Sequence, residues 1–311
     1  MYILNDTFFP PSGAGLRQLK VPFPYSGEST PLNENTRKEL PGSFIALPSG
    51  VTHYEEGGDP NGHPVVLVHG FSVPSFIYDP TFEFLSKQGF RVLRYDLLGR
   101  GFSDRPAAQY NAELFVNQLW ELLEALDFKN ICLVGLSMGG PVTASFIDRH
   151  PRVVSKYVLI DPAGARPVSI SPMLKAVRMP GVGELVLGLF GSGNMVKSIA
   201  SDFFSPELVA QFQEKYKIQM RYHGFKRAIL STMRNGMLDS FIDTYRRVGT
   251  LKKPTLIFWG RQDKTTPFEH STDILAAMPH AEFHALDQCG HIPHYERPGK
   301  VNEILLEFLR R

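Results

Sequence analysis

Gly135-Leu136-Ser137-Met138-Gly139-Gly140 stands between an apolar run, Ile131 to Val134, and a helix-like stretch that reaches His150. That order places Ser137 on a sharp strand-to-helix turn. In a G-x-S-x-G turn the glycines leave room for a crowded backbone, which lifts the serine hydroxyl to the top of a sheet and aims the next residue's N–H at a reacting carbonyl. Ser137 is therefore a candidate nucleophile. An ordinary Gly-rich turn would read the same way in isolation, so the rest of the chain has to supply a sheet, a base and an acid.

A serine nucleophile needs a base to take its proton, and the base needs a carboxylate to fix its tautomer. Thr255-Leu256-Ile257-Phe258-Trp259-Gly260 reads as a buried strand with Asp263 just beyond its end. Ala281 to Leu286 reads as another, followed by Gly290-His291-Ile292-Pro293. The order Ser137, Asp263, His291 places nucleophile, acid and base after successive strands. Asp161, after the strand Tyr157 to Asp161, is the rival acid.

Three further motifs accompany these: Val65-Val66-Leu67-Val68-His69-Gly70-Phe71, Asp96-Leu97-Leu98-Gly99-Arg100-Gly101-Phe102-Ser103 and Gly260-Arg261-Gln262-Asp263. With all of them in order, the chain resembles the α/β-hydrolase superfamily, in its serine hydrolase branch, over about residues 42–311. The resemblance implies an α/β fold with a mostly parallel central sheet, helices on both faces and a helical cap inserted after the sixth strand. It divides the chain into a core (41–162 and 251–311) and a cap (163–250), while the Pro-rich, polar composition of residues 1–40 predicts an extended arm. Carboxylesterases, monoacylglycerol-lipase-like enzymes, carbon–carbon bond hydrolases of ring-cleavage products and cofactor-free haloperoxidase-like enzymes carry this pattern. Epoxide hydrolases and haloalkane dehalogenases use an aspartate where Ser137 stands, so their chemistry is not expected.

The pattern along the chain agrees. From about residue 64, strand-like runs alternate with helical ones, as in a parallel sheet covered on both faces. Ser43 to Leu47 and Val51 to Glu55 flank Pro48-Ser49-Gly50 and predict an antiparallel hairpin at its start. Phe115, Leu119, Leu122 and Leu126, like Val301, Ile304, Leu305 and Phe308, follow helical spacing and predict two helices packed on the sheet. Between Asp161 and Thr255 the alternation stops. The glycines at 181, 183, 188, 191 and 193 suggest a mobile stretch there, and Met173, Leu187, Phe190 and Met195 are expected to line an acyl pocket together with Ser72.

Composition narrows the partners. A net charge of +2, with acids and bases interspersed, gives no basic face for nucleic acid or an anionic membrane. The longest apolar stretch, Val182 to Phe190, holds Glu184 and is far short of about 20 residues, so no transmembrane span is expected. Met1 to Asp6 lacks the basic and apolar regions of a signal peptide. The two cysteines, Cys132 and Cys289, make no disulfide framework and suggest a reducing compartment, the cytoplasm; both read as buried structural residues. His284, His291 and His294 lack the companion ligands of a tetrahedral metal site, and no dinucleotide or P-loop motif is present, so no cofactor or metal is expected.

Acyl transfer also needs two N–H groups about 3 Å from the developing oxyanion. Met138 supplies one by its place after the nucleophile. By resemblance Phe71 supplies the other, with Ser72 as its rival, and His69 orients that loop. The expected activity is hydrolysis of a small apolar ester through an acyl-enzyme. The first alternative is carbon–carbon hydrolysis of meta-cleavage dienoates, for which Arg166, Arg178, Arg221 and Arg227 are the possible carboxylate clamps; Trp120 and Trp259, the only tryptophans, fall outside the cap. The second is a non-catalytic small-ligand receptor on the same fold.

Overall fold

Apolar runs only five or six residues long can bury both faces in a sheet but are too short for a buried helix. Ile131–Leu136 and Thr255–Gly260 do so, being buried at every position. The computed structural model describes residues 25–168 and 172–311, leaving out the side chains of residues 172–174 and 189–190. Its eight strands are β1 (Ser43–Leu47), β2 (Gly50–Gly58), β3 (Pro64–Val68), β4 (Arg91–Tyr95), β5 (Ile131–Leu136), β6 (Val154–Ile160), β7 (Thr255–Gly260) and β8 (Glu282–Leu286). They form one sheet in the order β1-β2-β4-β3-β5-β6-β7-β8. The β1–β2 hairpin joins antiparallel through β2 and β4, and every later pair is parallel.

Alternate strand residues point to opposite faces, and each face has its own core. Val66, Leu93, Leu133, Leu159 and Ile257 pack with α2 (Ala112–Ala125) and α3 (Gly139–Arg149). Val65, Val92, Val134, Val158 and Leu256 lie on the other face with α1 (Asp79–Ser86) and the C-terminal helix Pro298–Arg310. Trp259 is fully buried in the first core, and its indole donates to the Thr266 carbonyl at 2.9 Å.

The chain between β6 and β7 is helical: α4 (Pro172–Arg178), α5 (Val182–Ser198), α6 (Val209–Met220), α7 (Phe225–Arg234) and α8 (Ile242–Thr250). The Gly-rich stretch read as mobile forms α5, with Gly181 at its N-cap and the other four glycines inside it. A Cβ on Gly183 would come within 2.0 Å of the Val177 carbonyl, so glycine there permits helices α4 and α5 to meet closely. Residues 25–30 lie against this cap. Ser29 and Thr30 N–H groups donate to the Arg221 carbonyl at 2.8 and 3.0 Å, and Glu28 accepts from the backbone N–H groups of Gly224 and Lys226 at 2.6 and 2.7 Å at the start of α7. A four-residue helix, Glu34–Arg37, interrupts the extended course of the arm before β1.

Candidate active site

The carboxyl ends of the parallel strands bring Ser137, Asp263 and His291 together. Chain direction across the sheet reverses between β3 and β5, where the crevice of an open α/β sheet forms. Ser137 follows β5 with φ +53°, a left-handed backbone that costs a non-glycine residue energy and persists only when its surroundings impose it. Here the Ser137 N–H donates to the Ile160 carbonyl at 2.9 Å, while its own carbonyl accepts from Gly140 and Ala163 at 2.9 and 3.0 Å. The flanking glycines leave no room for a side chain. A Cβ on Gly135 would sit 2.4 Å from the Gly139 carbonyl oxygen, and one on Gly139 would sit 2.3 Å from that of Val68.

His291 follows β8. Its Nδ1–H donates to Asp263 Oδ2 at 2.8 Å, leaving Nε2 as the nitrogen able to accept a proton. Asp263, after β7, also accepts from Thr266 Oγ1 at 2.6 Å and from the N–H groups of Thr265 and Thr266 at 2.7 and 2.9 Å. Burial opposes its charge, but His291, and after it the Asp161 and Thr266 side chains, hold its pKa below the ordinary value. For His291, burial works downward, and the carboxylates of Asp263 and then Asp202 outweigh it, raising the imidazole pKa. Ser137 Oγ makes no hydrogen bond among the described residues. It opens, with His291, onto a cavity of about 220 Å³.

Phe71 and Ser72 lie in the same cavity, and the N–H groups of Phe71 and Met138 donate to no acceptor among the described residues. His69, fully buried, donates from Nδ1 to the Gly70 carbonyl at 3.0 Å and accepts the Leu97 N–H on Nε2 at 2.9 Å. Burial lowers its pKa to about 4, which keeps it neutral and suits that tautomer. Because the peptide is trans, pulling the Gly70 carbonyl toward His69 turns the Phe71 N–H the opposite way. Arg100, also fully buried, donates from Nε to the Phe71 carbonyl at 2.8 Å and reaches Thr232 of α7 with its terminal nitrogen at 2.8 Å.

The cap wall of the cavity differs from the sequence expectation. It is formed by Ser198, Ile199, Ser201 and Asp202. Leu187 and Met195 are half-buried against the second core rather than facing Ser137, and the side chains of Met173 and Phe190 lie outside the described residues. Met179 and Leu185 are exposed at 58% and 46%. The difference arises because α5 turns its apolar side toward α7 and the core, so the cavity is met by the polar end of the helix and the turn after it. Asp202 carries no motif in the sequence. Glu296 does have a local signal, five residues after His291 in a short helix: its carboxylate accepts from the Phe204, Ser205 and Gly290 N–H groups at 2.8, 2.7 and 2.6 Å.

Asp161, the rival acid, lies beside the pair. One oxygen accepts the Gly260 N–H at 2.9 Å and the other has no conventional donor. Burial, and then the charge of Asp263, push its pKa well above the ordinary carboxylate value, whereas that of Asp263 is held down, so of the two Asp161 takes up a proton more readily and Asp263 gives its own up more readily. Asp161, Asp263 and His291 are close enough to count as a cation site, but the hydrogen bond from Nδ1 to Asp263 occupies the direction a cation would need. Cys289 is fully buried and its thiol is pushed up by burial, which leaves it un-ionised and unreactive.

The Alpha/beta hydrolase family profile matches residues 65–304, most of the chain. The chain belongs to this family. Among relatives of the hydrolase, the 2-hydroxy-6-oxononadienedioate/2-hydroxy-6-oxononatrienedioate hydrolase of Paraburkholderia xenovorans is 28% identical over 272 residues, covering 83% of this chain and 90% of that one. A meta-cleavage product hydrolase from Pseudomonas fluorescens superposes with a TM-score of 0.72 at 25% identity, covering 86% of this chain and 97% of its own. A thermophilic esterase from Thermogutta terrifontis does so with a TM-score of 0.72 at 26% identity, covering 87% and 98%. Similarity thus extends to carbon–carbon hydrolases and esterases alike. The protein is a hydrolase, and among its described residues no helix is long and apolar enough to cross a membrane.

Proposed function

We propose that the hydrolase cleaves neutral carboxylic esters through an acyl-enzyme on Ser137. His291 Nε2 takes the Ser137 proton as Oγ attacks the ester carbonyl, and the Phe71 and Met138 N–H groups bind the oxyanion. The intermediate collapses as His291 returns the proton to the leaving alcohol. Water, deprotonated by His291, then releases the acid and frees Ser137. Asp263 holds the imidazole tautomer and stabilises its transient positive charge.

One observation favours esters over dienoates. Among the described residues lining the cavity there is no lysine or arginine to hold a substrate carboxylate. Three of the four candidate clamps are accounted for elsewhere: Arg166 pairs with Asp273 at the surface, Arg227 donates to the Pro106 carbonyl, and Arg221 is exposed. The names of several relatives support the carbon–carbon reading, and turnover separates both from a receptor that binds without reaction.

The deciding experiment measures kcat/KM for p-nitrophenyl esters of increasing acyl length beside a meta-cleavage dienoate. Each buried CH₂ adds about 0.8 kcal/mol. The value should rise from acetyl to butyryl, then fall for chains too long for a cavity below the usual range of about 300–1,000 Å³. Dienoate cleavage at least 100-fold faster than any ester would reverse the assignment.

A further inference from the structure

We propose that Asp202 makes this site selective for hydroxyl-bearing neutral esters, its carboxyl group accepting a hydrogen bond from a substrate hydroxyl inside the catalytic cavity. The inference rests on the ester reading and names its substrate class. Asp202 is delivered by the turn that ends α5, and its backbone carbonyl accepts the His291 N–H at 2.8 Å, so it is fixed to the base rather than carried loosely by the cap. Thr265 Oγ1 donates to Oδ1 at 2.6 Å; the other oxygen has no donor among the described residues.

The hydroxyls next to it are already spent as donors. Ser198 Oγ donates to the Met195 carbonyl at 2.8 Å and Ser201 Oγ to the Ser198 carbonyl at 2.6 Å. The side chains on the cap wall therefore offer the cavity acceptors, and a ligand must bring the proton. An alkyl ester leaves these acceptors desolvated and unpaired, and a carboxylate-bearing substrate meets Asp202 with like charge, near Asp263 and Glu296. An ammonium would donate equally well but loses far more hydration on entering so small a space. A hydroxyl supplies the donor without that cost.

The hydroxyl could sit on either side of the ester, so the test has two arms. The ratio of kcat/KM for p-nitrophenyl 3-hydroxybutyrate over p-nitrophenyl butyrate reports the acyl side. The ratio for 2-hydroxyethyl butyrate over propyl butyrate reports the alcohol side. In the wild type, one ratio is expected to be about 10 or more, the worth of a hydrogen bond to a charged acceptor, and to fall to near 1 in Asp202→Ala. Asp202→Asn keeps an acceptor for Thr265 and serves if the alanine variant does not fold; it should lower the ratio about threefold. The proposal is overturned if the wild type prefers neither hydroxylated ester, or if the folded variant leaves the preference unchanged. Cleavage of dienoates with no ester turned over would instead sink the ester reading itself.

Discussion

Asp161 and Asp263 bring carboxyl oxygens within 4.8 Å of each other and of a His291 ring nitrogen, all three groups buried. Burial and the neighbouring carboxylate raise the pKa of Asp161, whereas pairing with imidazole lowers that of Asp263. Asp263→Asn is expected to favour the wrong imidazole tautomer and cost up to about 10⁴ in kcat. Asp161→Asn changes a carboxyl group that makes no hydrogen bond to the imidazole and should cost far less. Steady-state kinetics of the two variants give the ranking, and the reverse order would move the catalytic acid to the end of β6.

Asp161 also has a stability signature. Its pKa is raised on folding, so the native state holds a proton that the unfolded chain releases above about pH 4, and stability contributed by this group falls as pH rises through that window. The slope is about 1.4 kcal/mol per pH unit until the folded group itself titrates. Asp161→Asn removes it. Urea melts at pH 5 and 7 should show the variant gaining on the wild type as pH increases; a constant difference would mean that Asp161 is ionised in the native protein.

On the proposed mechanism, activity requires neutral His291. With its pKa raised by Asp263 and Asp202, the acid limb of kcat/KM is expected above the ordinary imidazole value of about 6.5, with activity lost as pH falls through it. Asp202→Asn takes away one of the two charges and should move the limb to lower pH. A limb unmoved in that variant would show that Asp202 exerts no field at the base.

Ser137→Ala is expected to lose about 10⁵ to 10⁶ in kcat, together with all labelling by a fluorophosphonate. Its fold should survive, because the hydroxyl opens to the cavity and bonds to nothing among the described residues. Ser137→Gly should be equally inactive yet melt no lower than the alanine variant, since glycine accepts φ +53° without strain. Residual activity above a tenth of wild type in either would exclude Ser137 as nucleophile.

Glu296→Gln turns one of two accepting oxygens into a donor that faces backbone N–H groups. A loss of about 1 to 3 kcal/mol in stability is expected. Since Gly290 precedes His291, kcat should fall as well. Normal kinetics in the variant would mean that the histidine loop is held without this carboxylate.

Strands β5 and β7, the hairpin and the helices at 112–125 and 298–310 were legible because each rests on local periodicity and turn residues. The positions of Ser137, Asp263 and His291 were legible for the same reason, each following a recognisable strand. The cavity wall was not. Asp202 reaches His291 across 89 positions of chain through a backbone hydrogen bond, which any residue type could make, and α5 hides its regularity behind glycines, of which Gly183 meets α4. Thr266 and Arg100 acquire their roles only when β7 and the loop after β4 are set beside their neighbours. Packing between distant segments leaves little trace in periodicity.

The strap formed by residues 25–30 is tied to the helices around Ser137 despite its distance from them in sequence. Glu28 caps the first turn of α7, and Arg100 reaches Thr232 on that same helix from beneath Phe71. Cutting into residues 25–30 would therefore uncap the helix that Arg100 ties to the Phe71 carbonyl, so a lesion in this strap is expected to be felt at the loop beside Ser137.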